Sequence, residues 1–260
     1  FTYGLFAPLT QLKKQYADAN LGIARSYGET LADYVGRLAK LPLVFEPGTQ
    51  WEYGHSTDVL GRVVEVASGQ PLDRLLDEMI FVPLGMRDTA FGLKRQSEMS
   101  RVVEPRPDVY TGVTPELMDV SQASTLFAGG HGLLGTAGDY LRFAQMLLNG
   151  GVLDGVRIVS PHTVAQMASN HLHPGIAIPP AAYIPGPGYS FGLGFAVRRE
   201  TGIADMSGSA GEFYWGGYAG TAFWVDPKEQ LVAVFMTQEP TRRQQYRNLF
   251  RSTVYGAIVE

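Results

Sequence analysis

The chain contains no cysteine. This excludes disulfides, thiol catalysis and cysteine-ligated zinc or iron–sulfur centres, and it leaves the compartment open, because such a chain folds in reducing and oxidising surroundings alike. Long apolar runs are also lacking. None approaches the roughly 20 residues that cross a bilayer as a helix, so no membrane span is expected. Nor is there an excess of one charge. The 21 Lys and Arg against 25 Asp and Glu leave a formal charge of −4, which argues against nucleic acid as a partner, since its binders carry a basic stripe. Charged residues reach only 18% and hydrophobic ones 45%, a composition too apolar for a disordered tail. A chain of 260 residues can bury roughly three quarters of its unfolded surface and hold a core without covalent staples. The printed start, Phe1-Thr2-Tyr3-Gly4, has neither an initiator Met nor a secretory pattern and reads as the inside of a longer protein.

There is no internal repeat. Residues 1–28 are mixed, with scattered turn residues. Helical spacing marks Glu29 to Lys40, through Leu31, Tyr34, Val35 and Leu38. A second helix is predicted from about Ser56 to Ser68, capped by Ser56 or Thr57, with Leu60, Val63, Val64 and Ala67 buried and Gly69 as the stop. Pro71 opens a third, whose stripe is Leu72, Leu75, Leu76 and Met79. After a weakly periodic stretch from Pro83 to Phe127, Thr136 and Asp139 have the spacing of a capping box before Tyr140, Phe143, Ala144 and Leu147. Ser160-Pro161 begins a short helix ending near Asn170, and residues 171–190 read as an extended Pro/Gly loop. Phe191 to Arg198, Tyr218 to Val225 and Leu231 to Thr237 read as strands, the last two joined by a turn at Asp226-Pro227-Lys228. Thr241–Glu260 reads as a closing helix with Tyr246, Leu249, Phe250, Thr253 and Ala257 on one face. The order suggests an α+β fold with a mainly antiparallel sheet, in one domain over 1–260. Residues 1–190 would be mostly helices and loops, and 191–260 the C-terminal strands and terminal helix.

Several motifs have plain readings. Gly130-His131-Gly132-Leu133-Leu134-Gly135 matches G-x-G-x-x-G in letters, but no strand precedes it and no βαβ unit surrounds it, so a glycine-rich turn is the better account than a nucleotide site. His171-x-His173 lies in a Pro/Gly loop without further ligands and is read as solvated; no metal is expected. Ser207-Gly208-Ser209-Ala210-Gly211 has Ser where a nucleophile elbow needs its first Gly. Two stretches carry more. Tyr53 stands in Trp51-Glu52-Tyr53-Gly54-His55-Ser56, just before a helix. Alone it reads as a packing aromatic. With an ammonium alongside, its phenol, which ordinarily ionises near pH ~10, can take a proton from a serine hydroxyl. Trp215-Gly216-Gly217-Tyr218 leads into a strand, where glycines mark close approach by a ligand or another backbone. Alone it reads as a Gly-rich hairpin turn; facing a cleft, the Tyr218 N–H would serve as an oxyanion donor.

In order, these pieces resemble the serine β-lactamase and penicillin-binding-protein superfamily, specifically its class C β-lactamase-like branch with the family VIII carboxylesterases. The resemblance runs through Pro47-Gly48-Thr49, Trp51 and Tyr53, Leu60-Gly61, Ser68-Gly69, Pro83-Leu84-Gly85-Met86, Gly132-Leu133 into Thr136-Ala137-Gly138-Asp139, Gly192-Leu193-Gly194-Phe195, Trp215-Gly216-Gly217 and Val225-Asp226-Pro227. It implies a β-lactamase/transpeptidase-like fold and three catalytic elements. Tyr-x-Asn is matched by Tyr53-Gly54-His55, with His55 in the Asn position, and the Lys-Thr-Gly strand is replaced by Trp215-Gly216-Gly217, as in the esterase branch. The third element, Ser-x-x-Lys, has no match. The residues three before Lys13, Lys14, Lys40, Lys94 and Lys228 are Thr10, Gln11, Arg37, Phe91 and Val225. The resemblance therefore implies N-terminal strands and a nucleophile helix upstream of Phe1, present as a separate bound piece or left out of the printed sequence.

The resulting expectation is a serine hydrolase cleaving carboxylic esters through an acyl-enzyme. Tyr53 is the candidate catalytic residue, and Tyr218, Trp215, Gly216, Gly217 and His55 are the candidate oxyanion and substrate-binding residues. The partner is a small ester or acyl substrate, and no cofactor is implied. A β-lactamase, D-amino-acid peptidase or acyltransferase on the same scaffold is the alternative. A non-catalytic binding relative is the reading if the chain is complete as printed.

Overall fold

The computed structural model describes residues 10–19, 21, 28–176, 178 and 185–259. Phe1–Gly4 and part of the expected 171–190 loop lie outside them. Helix α1 (Thr10–Asp18) occupies a stretch left unassigned from sequence; its buried anchor is the single ring of Tyr16, which creates no periodic stripe. Helix α2 (Leu31–Leu38) follows the spacing, with Leu31, Tyr34 and Leu38 buried. Thr30 opens it in a reciprocal box: its hydroxyl accepts the Asp33 N–H at 3.2 Å, and the Asp33 carboxylate accepts the Thr30 N–H at 3.1 Å.

Helix α3 (Ser56–Ser68) has the predicted length and stops at Gly69, whose φ of 70° suits glycine. Its N-cap is His55, with no side-chain cap from Ser56 or Thr57. The predicted apolar stripe holds only at Val64, which packs against the core: Leu60 and Val63 are 58% and 57% exposed, and the buried residues are Asp58, Gly61 and Glu65. The reason is what that face meets. Asp58 accepts the Gly130 N–H at 2.8 Å and Glu65 accepts the Leu72 N–H at 3.0 Å, while a Cβ on Gly61 would lie 3.2 Å from the Gly129 Cα. A helix closing on bare backbone needs acceptors and a gap there, not apolar bulk.

Helix α4 (Leu72–Leu76) continues through a π turn, Asp77–Phe81, into α5 (Val82–Leu84). The π turn inserts a residue and rotates the face, so Met79 stands 60% exposed while Phe81 and Leu84 are buried. Strand β1 (Ala90–Phe91) pairs with β2 (Leu133–Leu134), and a 3₁₀ turn spans Gln96–Arg101. Helix α6 (Ala137–Leu148) is capped by Thr136, which accepts the Asp139 N–H at 3.2 Å. The return arm of the expected box is absent, because the Asp139 carboxylate instead accepts the Asp88 N–H and the Thr89 hydroxyl at 2.8 and 2.9 Å. The hairpin β3 (Val152–Leu153) and β4 (Val156–Arg157) precedes α7 (Pro161–Met167), capped by Ser160.

The sheet has five antiparallel strands in sequential order: β5 (Tyr189–Phe191), β6 (Ala196–Arg198), β7 (Phe213–Gly216), β8 (Ala222–Asp226) and β9 (Leu231–Phe235). The single strand expected over 191–198 is thus the turn and flanks of a hairpin, closed where Gly192 N–H donates to Phe195 C=O at 2.8 Å. The strand expected from Tyr218 starts at Ala222, because 217–221 is a turn in which Gly217 N–H donates to Thr221 C=O. Alternation along the strands divides the two layers. Phe213, Phe223 and Val225 pack with α6 residues, whereas Tyr214, Trp224 and Ala233 pack with Phe250, Val254 and Tyr255 of α8 (Arg243–Gly256).

The predicted face of α8 holds for Phe250, which packs on Trp224, but Leu249 is 64% exposed and the most buried residues are Arg247 and Arg251. Arg251 reaches fully buried Glu212, which also receives the Tyr189 and Tyr255 hydroxyls and has Arg198 3.6 Å away. Buried charges of this kind persist because each is paired. Among the described residues, no helix is long and apolar enough to cross a membrane.

Candidate active site

The start of α3, the 130–133 loop and the ends of β7, β8 and β9 enclose a cleft of about 420 Å³. Tyr53, His55, Trp215, Gly216, Gly217 and Tyr218 all line it. Residues from distant parts of the sequence therefore meet, carried there by the segment that leads into α3 and by the end of β7 with the turn after it.

The Tyr53 ring packs against Trp215 at 5.7 Å between centroids, and Trp215 packs on Phe191, which in turn meets Trp51. Tyr53 and Trp215 thus give the cleft an aromatic wall, with Phe191 and Trp51 packed behind Trp215. Burial pushes the Tyr53 phenol above its ordinary pKa; a hydrogen bond from the Trp215 side chain opposes this, and the charge of Asp58 adds to it. A raised pKa means that the phenol is protonated at neutral pH, so it acts as a base only beside a cation.

The glycines of Gly216-Gly217 are required by packing from behind. A Cβ on Gly216 would lie 2.8 Å from the Arg247 guanidinium carbon, and one on Gly217 would lie 2.3 Å from the Thr221 hydroxyl. The close approach expected there is therefore made by Arg247 and Thr221. Arg247 donates to the carbonyls of Gly217, Gly220 and Thr221, the last two at 3.1 and 2.7 Å, and Arg243 donates to the Tyr218 carbonyl at 3.1 Å. A trans peptide points its C=O and N–H in opposite directions. With the Gly217 carbonyl turned onto Arg247, the Tyr218 N–H of the same peptide faces away from it.

Sequence reasoning missed Asp58 and treated His131 only as a letter in a glycine motif. Asp58 is 3% exposed, three residues after His55 on the first turn of α3. Its Oδ2 lies 3.5 Å from His55 Nδ1, and its Oδ1 lies 3.7 Å from His131 Nδ1. His55 is 4% exposed, takes the Tyr34 hydroxyl at 2.7 Å on Nδ1 and stacks on Tyr16. An acid at i+3 from a histidine was the signal available in the sequence.

The glycine motif has a steric explanation. A Cβ on Gly129 would fall 2.1 Å from the Thr57 carbonyl oxygen, and one on Gly130 would fall 2.8 Å from the Thr57 hydroxyl. Gly129→Ala is therefore expected to lower stability by roughly 1–3 kcal/mol, the usual range for overpacking, measurable as a drop in the denaturant midpoint. An unchanged midpoint would contradict this contact. Ser209, in the elbow-like stretch, lies elsewhere and donates to Glu229 at 2.8 Å. His171 and His173 bond to the Gln166 and Pro174 carbonyls in an exposed loop.

The beta-lactamase family profile matches residues 2–254. The chain belongs to the beta-lactamase family. It is similar to an uncharacterized protein of Mycobacterium tuberculosis, 34% identical over 224 residues covering 82% of this chain and 54% of that protein. It is also similar to esterase EstB of Burkholderia gladioli, 33% identical over 227 residues covering 80% of this chain and 54% of the esterase. Among solved structures it resembles EstCE1, a hydrolase with promiscuous acyltransferase activity, with a TM-score of 0.77 and 25% identity over 98% of this chain and 69% of that one. The chain spans about half the length of the curated relatives it matches. The fold is that of the beta-lactamase and transpeptidase class, and Trp215-Gly216-Gly217 is this beta-lactamase-family chain's edge of the cleft.

Proposed function

We propose that this chain forms the substrate-binding and proton-handling part of a serine carboxylesterase whose nucleophile belongs to a Ser-x-x-Lys segment outside the printed residues. One observation carries the reading: Tyr53 and Tyr218 line the same cleft, and the Tyr218 N–H is turned away from Arg247. In the proposed cycle the serine oxygen attacks the ester carbonyl carbon. Its proton passes through Tyr53, beside the lysine, to the departing alkoxide, which leaves as the alcohol. The oxyanion of the tetrahedral intermediate accepts the Tyr218 N–H and that of the nucleophile. Water then attacks the acyl-enzyme, releasing the carboxylic acid and restoring the serine.

Trp215 supports esters over β-lactams. An indole carries no positive charge and a single donor, so it offers an apolar wall to uncharged acyl or alcohol groups and no charged partner to a carboxylate. In the full-length protein, short-chain p-nitrophenyl esters are expected to turn over with higher kcat/KM than chromogenic cephalosporins. Equal or faster cephalosporin hydrolysis would refute the substrate assignment. An alkyl fluorophosphonate is expected to label the folded full-length protein; failure to label would favour a non-catalytic binding relative.

The likeness to EstCE1 favours a second reading on the same chemistry, in which an alcohol replaces water as acyl acceptor. Product analysis with added alcohols separates transfer from hydrolysis.

A further inference from the structure

His131 is the imidazole of the cleft with access to solvent. Its side chain is 20% exposed, against 5% for His55. The backbone that delivers it leaves little freedom. Gly129 and Gly130 lie directly on the first turn of α3, and the Gly130 N–H is fixed on Asp58 at 2.8 Å. His131 lines the cleft with its Nδ1 3.7 Å from the Asp58 carboxylate, which leaves Nε2 as the nitrogen not engaged with Asp58.

From this geometry we infer that His131 is an acid–base residue of the cleft that activates the deacylating water, with Asp58 stabilising the imidazolium formed. The inference rests on the ester-hydrolase reading. Nε2 removes a proton from water as the water oxygen bonds to the acyl carbonyl carbon. The tetrahedral intermediate then expels the serine oxygen, which takes that proton back from the imidazolium, leaving the carboxylic acid and the free hydroxyl. No other co-reactant is consumed.

The surrounding charges suit this task. Asp58 and His55 at the start of α3 face His131, and Tyr34 of α2 reaches the group through His55. Burial holds the His131 imidazole below its ordinary pKa, the Asp58 charge opposes this and His55 adds to it, so the ring is neutral at pH 7 and available as a base. A carboxylate behind an imidazole, orienting it and stabilising its protonated form, is the arrangement that serves general-base catalysis elsewhere.

The test uses the full-length protein with a p-nitrophenyl ester, comparing wild type and His131→Gln by steady-state kinetics across pH and by intact-mass analysis of the reacting enzyme. His131→Gln is expected to retain fluorophosphonate labelling and to accumulate the acyl adduct. Its kcat should fall about 100-fold or more, in the range of a lost general base, and the acid limb of its kcat–pH profile should vanish. His131→Asn is expected to behave alike. A variant with wild-type kcat and pH profile overturns the inference while leaving the hydrolase reading intact. A kcat that falls with the acid limb unmoved and no adduct also overturns it, since that pattern is structural. A wild type that neither labels nor turns over esters removes both.

Discussion

Tyr53→Phe is expected to lower kcat/KM for short-chain p-nitrophenyl esters by about 10²–10⁴-fold in the full-length protein, the range a positioned acid–base group contributes, with KM close to wild type. The substitution removes one oxygen and keeps the ring, so packing on Trp215 survives. The proton relay is lost, together with the hydrogen bond that the Trp215 side chain gives the phenol. Thermal melting should show the Phe variant near wild type, whereas Tyr53→Ala, which also removes the ring, should melt lower. The result that contradicts the role is a Phe variant whose kcat/KM stays within about twofold of wild type, because Tyr53 would then be a packing aromatic and no more.

Glu212→Ala is expected to give the largest loss of stability. Glu212 is wholly buried, and Arg198 and Arg251, each 3% exposed, converge on it together with the Tyr189 and Tyr255 hydroxyls. Deleting the carboxylate leaves two guanidiniums inside the protein without their counter-ion. Burial already holds Arg251 below its ordinary pKa, a sign that its charge is poorly solvated. Breaking one side of a buried pair costs about 3–5 kcal/mol. At roughly 2–4 °C per kcal/mol for a chain of this size, Tm should fall by about 6–20 °C in a scanning calorimeter. An exposed pair such as Lys14–Asp18 is a different case, contributing about 0–1 kcal/mol, since water solvates either partner alone. A Glu212→Ala protein melting with wild type would mean that water reaches the guanidiniums.

The two helices whose faces were misread, α3 and α8, show where sequence reading stops. Spacing rules assume that a helix turns its apolar side inward. On α3 the most buried residues are Asp58, Gly61 and Glu65, and on α8 they are Arg247 and Arg251, beside the partly buried Phe250, Val254 and Tyr255. In each case the neighbour is unpaired backbone or a buried carboxylate: the Gly130 and Leu72 amides for α3, and the 217–221 carbonyls and Glu212 for α8. Hydrogen-bonding demand set the orientation, and a pattern of apolar letters does not encode which backbone groups elsewhere lack partners. Where side chains do meet side chains, as for Leu31, Tyr34 and Leu38 on α2, the spacing predicted the buried face correctly. Strand β7 was hidden for a related reason, because its Trp-Gly-Gly end reads as a turn, although Trp215 and Gly216 pair with Phe223 and Ala222.

Local chemistry in the chain was enough to determine the helix starts at Thr136 and Ser160, the buried face of α2, the turn at Asp226, the α+β order and the motif set of the beta-lactamase family, since each depends on residues a few positions apart. Tertiary structure brought Tyr53 and Tyr218, which only the resemblance had assigned to one site, to a shared cleft, and it alone decided that Asp58 stands between two histidines. Those relations depend on how α3, the 130–133 loop and the central strands pack in three dimensions, and packing distances between distant segments leave no periodic trace in the order of the residues.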